Sequence, residues 1–110
     1  MTESRSLVEE INALLDAPPA PERERYLAHL EHTLATGYAQ ALALEAERWR
    51  LERRLGEVAT ALAHGEDTAV GKADEIVFLA RRMSAASSDL STLRGVLSTL
   101  RDRAASVRAA

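Results

Sequence analysis

The sequence predicts an all-α fold in which a short N-terminal helix precedes a long antiparallel helical hairpin, or coiled coil. Three observations support this prediction. Apolar residues recur in alternating steps of three and four from Ile76 to Val107 without a break. A second stretch, from about residue 21 to 64, repeats the same pattern. Aromatic residues make up only 4% of the 110 residues, which suits long helices better than a bulky globular core.

The first element, within residues 1–16, is predicted to be a short amphipathic docking helix over residues 4–16. Ser6, with Glu9 three residues later, has the spacing of a capping box, which would begin the helix at this point. A helix of this length is not stable alone in water, so it must dock on its own chain or on a partner. Its apolar stripe consists of Leu7, Val8, Ile11, Leu14 and Leu15.

A proline-rich linker over residues 17–21 ends the first helix, and the hairpin is predicted to occupy residues 22–110. The second helix is predicted to end at His64 and Gly65, because glycine suits the left-handed position that follows a helix. Asp67 or Thr68 can then cap the third helix.

The apolar seams of the two long helices match when the numbers of facing residues sum to about 134, the mirror relation of an antiparallel hairpin. Gly37 then faces Leu97. Arg48 is the one charged seam residue, and it faces Ala86, across which its long side chain can reach water. The predicted pairs nearest the turn are Leu51 with Met83, Leu55 with Leu79, and Val58 with Ile76.

The charged residues beside the seam agree with this register only in part. Glu31 can reach Arg108, which favours it. Arg54 is expected to meet Arg82, which is unfavourable.

Apolar and small residues also occur on the outward side of the hairpin, where charged residues are expected. They are either tolerated on a solvated surface or allow another helix to approach: residues 4–16, a second copy of the chain, or a different protein. We therefore expect a non-enzymatic interaction or scaffold protein that forms a homodimer or holds a partner protein. The predicted interaction face consists of Tyr38, Leu42, Trp49, Leu7, Ile11 and Leu14.

The sequence does not favour an enzyme or a cofactor-binding protein. It contains no cysteine, and no nucleophile, base and acid would be brought together by the helix geometry. His29 and His32 have a spacing that can hold a metal, but nothing nearby completes a site, so a surface pair is expected.

Charge and hydropathy bear on the class of partner. The net charge of −3 does not favour nucleic acid, and the arginines around Trp49 are interleaved with glutamates that predict surface salt bridges. No apolar run approaches the roughly 20 residues of a membrane span. The acidic N-terminal segment does not resemble a signal peptide, so a cytoplasmic protein is expected.

One segment of the third helix resembles the signature of actinobacterial anti-sigma factors that bind cyclic di-GMP on a helical hairpin, Glu-x3-Ser-x2-Arg-x3-Gln-x3-Asp. Ser91, Arg94 and Asp102 match its Ser, Arg and Asp, while Ser87 and Ser98 occupy its Glu and Gln positions. The resemblance implies an alternative function, a regulatory sequestering factor in which Arg94 and Asp102 contact guanine edges.

Overall fold

The computed structural model describes residues 2–16, 23–65 and 69–110, and over these residues it confirms the all-α prediction, with three helices and no strand. Helix α1 spans Thr2–Asp16, α2 spans Arg23–Ala63 and α3 spans Ala69–Ala109. Helices α2 and α3 pack extensively as the predicted hairpin. The predicted linker at 17–21 and the predicted caps at Asp67 and Thr68 lie outside the described residues.

Helix α1 begins earlier than the capping-box pattern predicted. Because the helix starts at Thr2, Ser6 and Glu9 lie in its interior, and the prediction that Ser6 caps the N-terminus is wrong. Residues three apart also lie on one face of a helix interior, so their spacing alone does not distinguish a cap from an ordinary turn.

The end of α2 agrees with the sequence prediction. Gly65 has a φ of 64°, the left-handed conformation that a residue without a Cβ adopts most easily. The amide of His64 donates to the Thr60 carbonyl at 3.1 Å, and the amide of Gly65 donates to the Leu62 carbonyl at 3.1 Å. These bonds satisfy carbonyls that the last turn of the helix would otherwise leave unpaired.

The chain divides into two compact units. The three-helix unit contains α1, the part of α2 up to Leu42, and the part of α3 from Asp89 onward. The two-helix unit contains Ala43–Ser88, that is, the remaining parts of α2 and α3.

The core of the three-helix unit confirms the predicted register. A Cβ added to Gly37 would overlap Cδ2 of Leu97 and lie 3.3 Å from its Cγ, so these two residues face each other as predicted. Glycine at this position lets the two helices approach closely while leaving room for the leucine. The buried apolar residues of this unit are Leu7, Ile11, Tyr26, Leu30, Leu34, Ala41, Leu90, Leu93, Leu97, Leu100 and Ala104.

In the two-helix unit the three predicted seam pairs nearest the turn form one hydrophobic cluster. Its buried and partly buried members are Leu51, Leu55, Val58, Ile76, Leu79 and Met83. Arg48, the charged seam residue, is half-buried, and Ala86, predicted to face it, is buried.

Within the three-helix unit, helix α1 packs against the hairpin through its apolar stripe. Ile11 is completely buried, and Leu7 is also buried. At the C-terminal end of α1, Nη1 of Arg103 donates to the Leu15 carbonyl at 3.3 Å and to the Tyr26 hydroxyl at 3.4 Å. Nearer its N-terminus, Arg5, Val8 and Glu9 line a small cavity together with Asp89 and Thr92. Helix α1 therefore runs in the same direction as α3.

The charged residues beside the seam correct one sequence expectation. Arg54 forms an ion pair with Glu75, in which its Nη2 lies 2.9 Å from Glu75 Oε2. Arg82 pairs with Glu47 at 2.9 Å. Each arginine therefore has a carboxylate of the other helix beside it, which offsets the repulsion expected between Arg54 and Arg82.

A further ion pair confirms a prediction in the three-helix unit. Nη2 of Arg108 lies 3.5 Å from Oε1 of Glu31, and both side chains are about half exposed.

Candidate functional site

Large apolar side chains remain exposed in both units. In the three-helix unit these are Tyr38, 44% exposed, and Leu42, 67% exposed. In the two-helix unit Trp49 is 66% exposed, and Val70, Val77 and Phe78 are also exposed. Of the six residues predicted to form an interaction face, Tyr38, Leu42 and Trp49 are exposed, Leu14 is half-buried, and Leu7 and Ile11 are buried where α1 docks.

One side of the two-helix unit is a charged flank, formed by residues that directly precede seam residues in the sequence: Glu47, Arg54, Glu75 and Arg82. Hydrogen bonding to the Glu75 carboxylate, helped by its charge, raises the pKa of Arg54. The guanidinium of Arg82 also lies over the ring of Phe78, 5.8 Å from its centroid, as in a cation–π contact. The exposed Phe78 therefore belongs to the charged flank.

The opposite side of the two-helix unit has a different character. Residues that follow a seam residue lie on the other side of the helix from those that precede it, because each residue rotates the helix by about 100°. We call this side the apolar face, and among the described residues Glu52 is its single charged member. The other members, all exposed, are Trp49, Gly56, Ala59, Ala63, Val70, Ala73, Val77, Ala80 and Ser84.

The residues that resemble the cyclic di-GMP signature lie on α3. Ser91, Arg94 and Asp102 are exposed, as is Ser98 at the Gln position. Their spacing of three, four and four residues places them on one side of the helix. Ser87, at the Glu position, is half-buried.

An open cleft lies at the end of the three-helix unit, lined by Arg23, Glu24, Arg25, Leu27 and Arg108. Arg23 donates from Nε to the Val107 carbonyl and from Nη2 to the Arg108 carbonyl, both at 2.8 Å. Carbonyls in the last turn of a helix lack partners within the helix, so Arg23 caps α3. Arg108 forms an ion pair with Glu31 of α2. The residues of the cleft therefore hold α2 and α3 together at this end of the hairpin.

The histidine pair is exposed on α2, and the backbone carbonyls of His29 and His32 accept hydrogen bonds from Thr33 and Thr36. Across the described part of the chain, no three His, Cys, Asp or Glu side chains are grouped closely enough to hold a metal. Within the same ranges, no helix has both the length and the apolar character needed to span a membrane.

Sequence reasoning missed the residues that receive α1. Tyr26 and Thr33 are buried, and Arg103 bonds both α1 and α2. A signal was present in the sequence: Tyr26, Thr33 and Gln40 each precede a seam residue, and all three are uncharged. A stretch of α2 whose flank residues are uncharged indicates where a third helix can dock.

Comparison with known protein families, with curated proteins and with solved structures found no match for this chain.

Proposed function

We propose that this chain is a non-enzymatic helical interaction protein, which binds another polypeptide through exposed apolar residues on its long helices. The observation that carries the proposal is the two-thirds exposure of Leu42 and Trp49, which lie one heptad apart in the sequence of α2. Tryptophan is enriched at the centres of protein interfaces, where its large surface contributes strongly to binding.

The surroundings of these residues support the same function. A helical hairpin in water is expected to carry charged side chains on its outward positions, as the charged flank of the two-helix unit does. The apolar face instead presents Trp49 and Val77 among small side chains, which lets another helix approach closely. An interaction protein needs such a surface, whereas a hairpin that served only as a spacer does not.

Site-specific photocrosslinking tests this proposal. A photoreactive phenylalanine analogue is placed separately at Trp49 and at Leu42. The full chain is expressed in cells of the organism that encodes it. We expect each position to yield covalent adducts with a polypeptide, which mass spectrometry then identifies as a second copy or another protein. The matched control is the analogue at Arg81, which is exposed and lies away from the seam.

The proposal fails if Trp49 and Leu42 give no more polypeptide adducts than Arg81. Adducts at Trp49 and Leu42 but not at Arg81 support it, whichever polypeptide is captured.

A second candidate function is the ligand-gated sequestering factor implied by the resemblance to anti-sigma factors. It is favoured by the exposure of Ser91, Arg94 and Asp102 on one side of α3. Calorimetry with cyclic di-GMP tests it directly. Binding that is lost in Arg94→Ala would favour this candidate, and the absence of heat with the wild-type chain would remove it.

A further inference from the structure

We propose that the apolar face of the two-helix unit docks against the same face of a second copy of this chain, with Gly56 at the point of closest approach. This inference rests on the proposed function and deepens it by naming the partner. It concerns one surface within the two-helix unit, formed by Trp49, Gly56, Ala63, Val70 and Val77 together with their small neighbours.

Gly56 is the first indication of a partner. It lies in the interior of α2, where glycine is less favourable than alanine because it loses more conformational freedom on folding. A Cβ added to Gly56 would have nothing within 4 Å, so no packing inside the chain requires glycine. Gly37 differs, since Leu97 occupies the space beside it.

Gly95 is equally open, so an open helix glycine does not by itself indicate a partner. Gly56 differs from Gly95 in lying on the apolar face with Trp49 and Val77, where its missing side chain lets a second helix approach closely.

The order of side chains along α2 also suits a twofold contact centred on Gly56. Trp49 and Ala63 lie seven residues before and after it, so a twofold axis at Gly56 places Trp49 opposite Ala63 of the second copy. A large side chain thereby meets a small one, as close packing requires. Val77, by the same seam register, lies level with Gly56 on α3 and adds an apolar contact near the axis.

The charges favour a second copy as the occupant. In a twofold contact each surface meets its own copy, so the ionised groups of a charged surface would lose water on docking and would need new partners. The charged flank, with its glutamates and arginines, would also have to exchange its own ion pairs for new ones. The apolar face carries Glu52 alone, and it can therefore meet its own copy with little repulsion or desolvation of charge.

The area of the apolar face bears on the expected strength of the dimer. From residue 49 to 63 the face is about 21 Å long, and two helices side by side are about 20 Å wide, so each copy offers roughly 400 Å². This is about half of the roughly 800 Å² per partner in a standard interface. We therefore expect a weak, reversible dimer rather than a permanent one.

Sedimentation equilibrium of the full chain, from about 1 μM to about 500 μM, tests the inference. The wild type should change from monomer to dimer over this range, and Trp49 emission should shift to shorter wavelength as its ring leaves water. Gly56→Leu should raise the dissociation constant by at least about tenfold, because the new side chain blocks the crossing point. Gly95→Leu is the matched control, because Gly95 is a helix glycine with equally open surroundings in the other unit, and its constant should be unchanged.

A second pair of variants tests which side of the two-helix unit forms the dimer contact. Val77 and Phe78 are neighbours with similar exposure, but Phe78 lies on the charged flank beneath Arg82. Val77→Glu should weaken the dimer by at least about tenfold, and Phe78→Glu should leave it unchanged. Circular dichroism of each variant verifies that the helices are intact.

A wild type that stays monomeric at the highest concentration would overturn this inference, as would a dimer that tolerates both Gly56→Leu and Val77→Glu. Equal weakening by the Gly95→Leu or Phe78→Glu control would also overturn it. If the chain is monomeric and Trp49 photocrosslinks to a different protein, the proposed function stands and this inference falls. If Trp49 and Leu42 yield no adducts at all, the proposed function itself fails.

Discussion

The two units carry different residues at the same heptad position, the one that precedes a seam residue. In the three-helix unit α2 has Tyr26 and Thr33 at this position, and both are buried. In the two-helix unit α2 has Glu47 and Arg54, which bridge to α3 through ion pairs. The comparison indicates that charge at the α2 positions of this flank decides whether a third helix can cover it.

The energetic reason lies in what happens to polar groups under a docked helix. Burying an ionised side chain costs several kcal/mol unless it keeps well-placed partners, whereas a buried hydroxyl needs only one hydrogen bond. The Thr33 hydroxyl donates to the His29 carbonyl at 2.9 Å, and the Tyr26 hydroxyl accepts from Arg103. Over the described ranges, no buried side-chain nitrogen or oxygen lacks a hydrogen bond.

Arg103 shows how a charge is accommodated beside α1. It is half-buried, and one of its nitrogens contacts both the Leu15 carbonyl and the Tyr26 hydroxyl. The Leu15 carbonyl belongs to the last turn of α1, where carbonyls lack helical partners, so a cation there is favourable. The arginine therefore helps to hold α1 rather than repelling it.

The largest effect is expected when a charge is placed in the covered flank. Thr33→Glu would put a carboxylate beneath α1, where docking would strip it of water, so α1 should detach at a cost of about 3 kcal/mol in the free energy of unfolding. Chemical denaturation measures the loss, and hydrogen exchange should show amides of α1 losing their protection.

Thr36→Glu provides the control for this variant. Thr36 also donates to the carbonyl four residues earlier, at 3.1 Å, but its side chain is exposed. Its replacement should change the free energy of unfolding by less than about 0.5 kcal/mol. If the two variants destabilise the chain equally, burial under α1 is not what distinguishes this flank.

An intermediate effect is expected at the closest contact in the three-helix unit. In Gly37→Ala the new methyl group would overlap the side chain of Leu97, which is itself buried, so Leu97 or the two helices must shift. We expect a net loss of about 1–2 kcal/mol, because overpacking outweighs the better helix propensity of alanine.

Gly95→Ala should have the opposite effect on the free energy of unfolding. Its new methyl group meets open space, so the variant should gain about 0.5–1 kcal/mol from helix propensity alone. Thermal denaturation of both variants at one concentration measures the difference. A stabilising Gly37→Ala would contradict the predicted facing of Gly37 and Leu97.

A weaker effect is expected on the uncovered flank of the two-helix unit. Arg82→Gln removes the ion pair with Glu47 and the contact with the Phe78 ring, but the arginine side chain is half exposed. We expect a loss of no more than about 0.5 kcal/mol, reduced further at high salt. A loss above about 1.5 kcal/mol, insensitive to salt, would mean that this flank is covered in solution.

The seam of the hairpin and its register could be predicted from the order of the residues. Gly37 faces Leu97, the predicted pairs near the turn form one cluster, Glu31 reaches Arg108, and α2 ends before the left-handed Gly65. These features depend on a local period of three and four residues and on the mirror relation of two antiparallel helices, and both can be counted along one chain.

The flank that α1 covers, and the carboxylate that each arginine uses, could not be predicted in this way. The amphipathic pattern of α1 shows that it must dock, but the docking position depends on comparing flanks built from residues far apart in sequence. Arg54 pairs with Glu75 and Arg82 pairs with Glu47, and a long side chain can reach several such partners, so its sequence position alone does not select one. The uncharged Tyr26 and Thr33 are a signal in the sequence, but the bonds of Arg103 to α1 and to Tyr26 became recognisable only when all three helices were brought together.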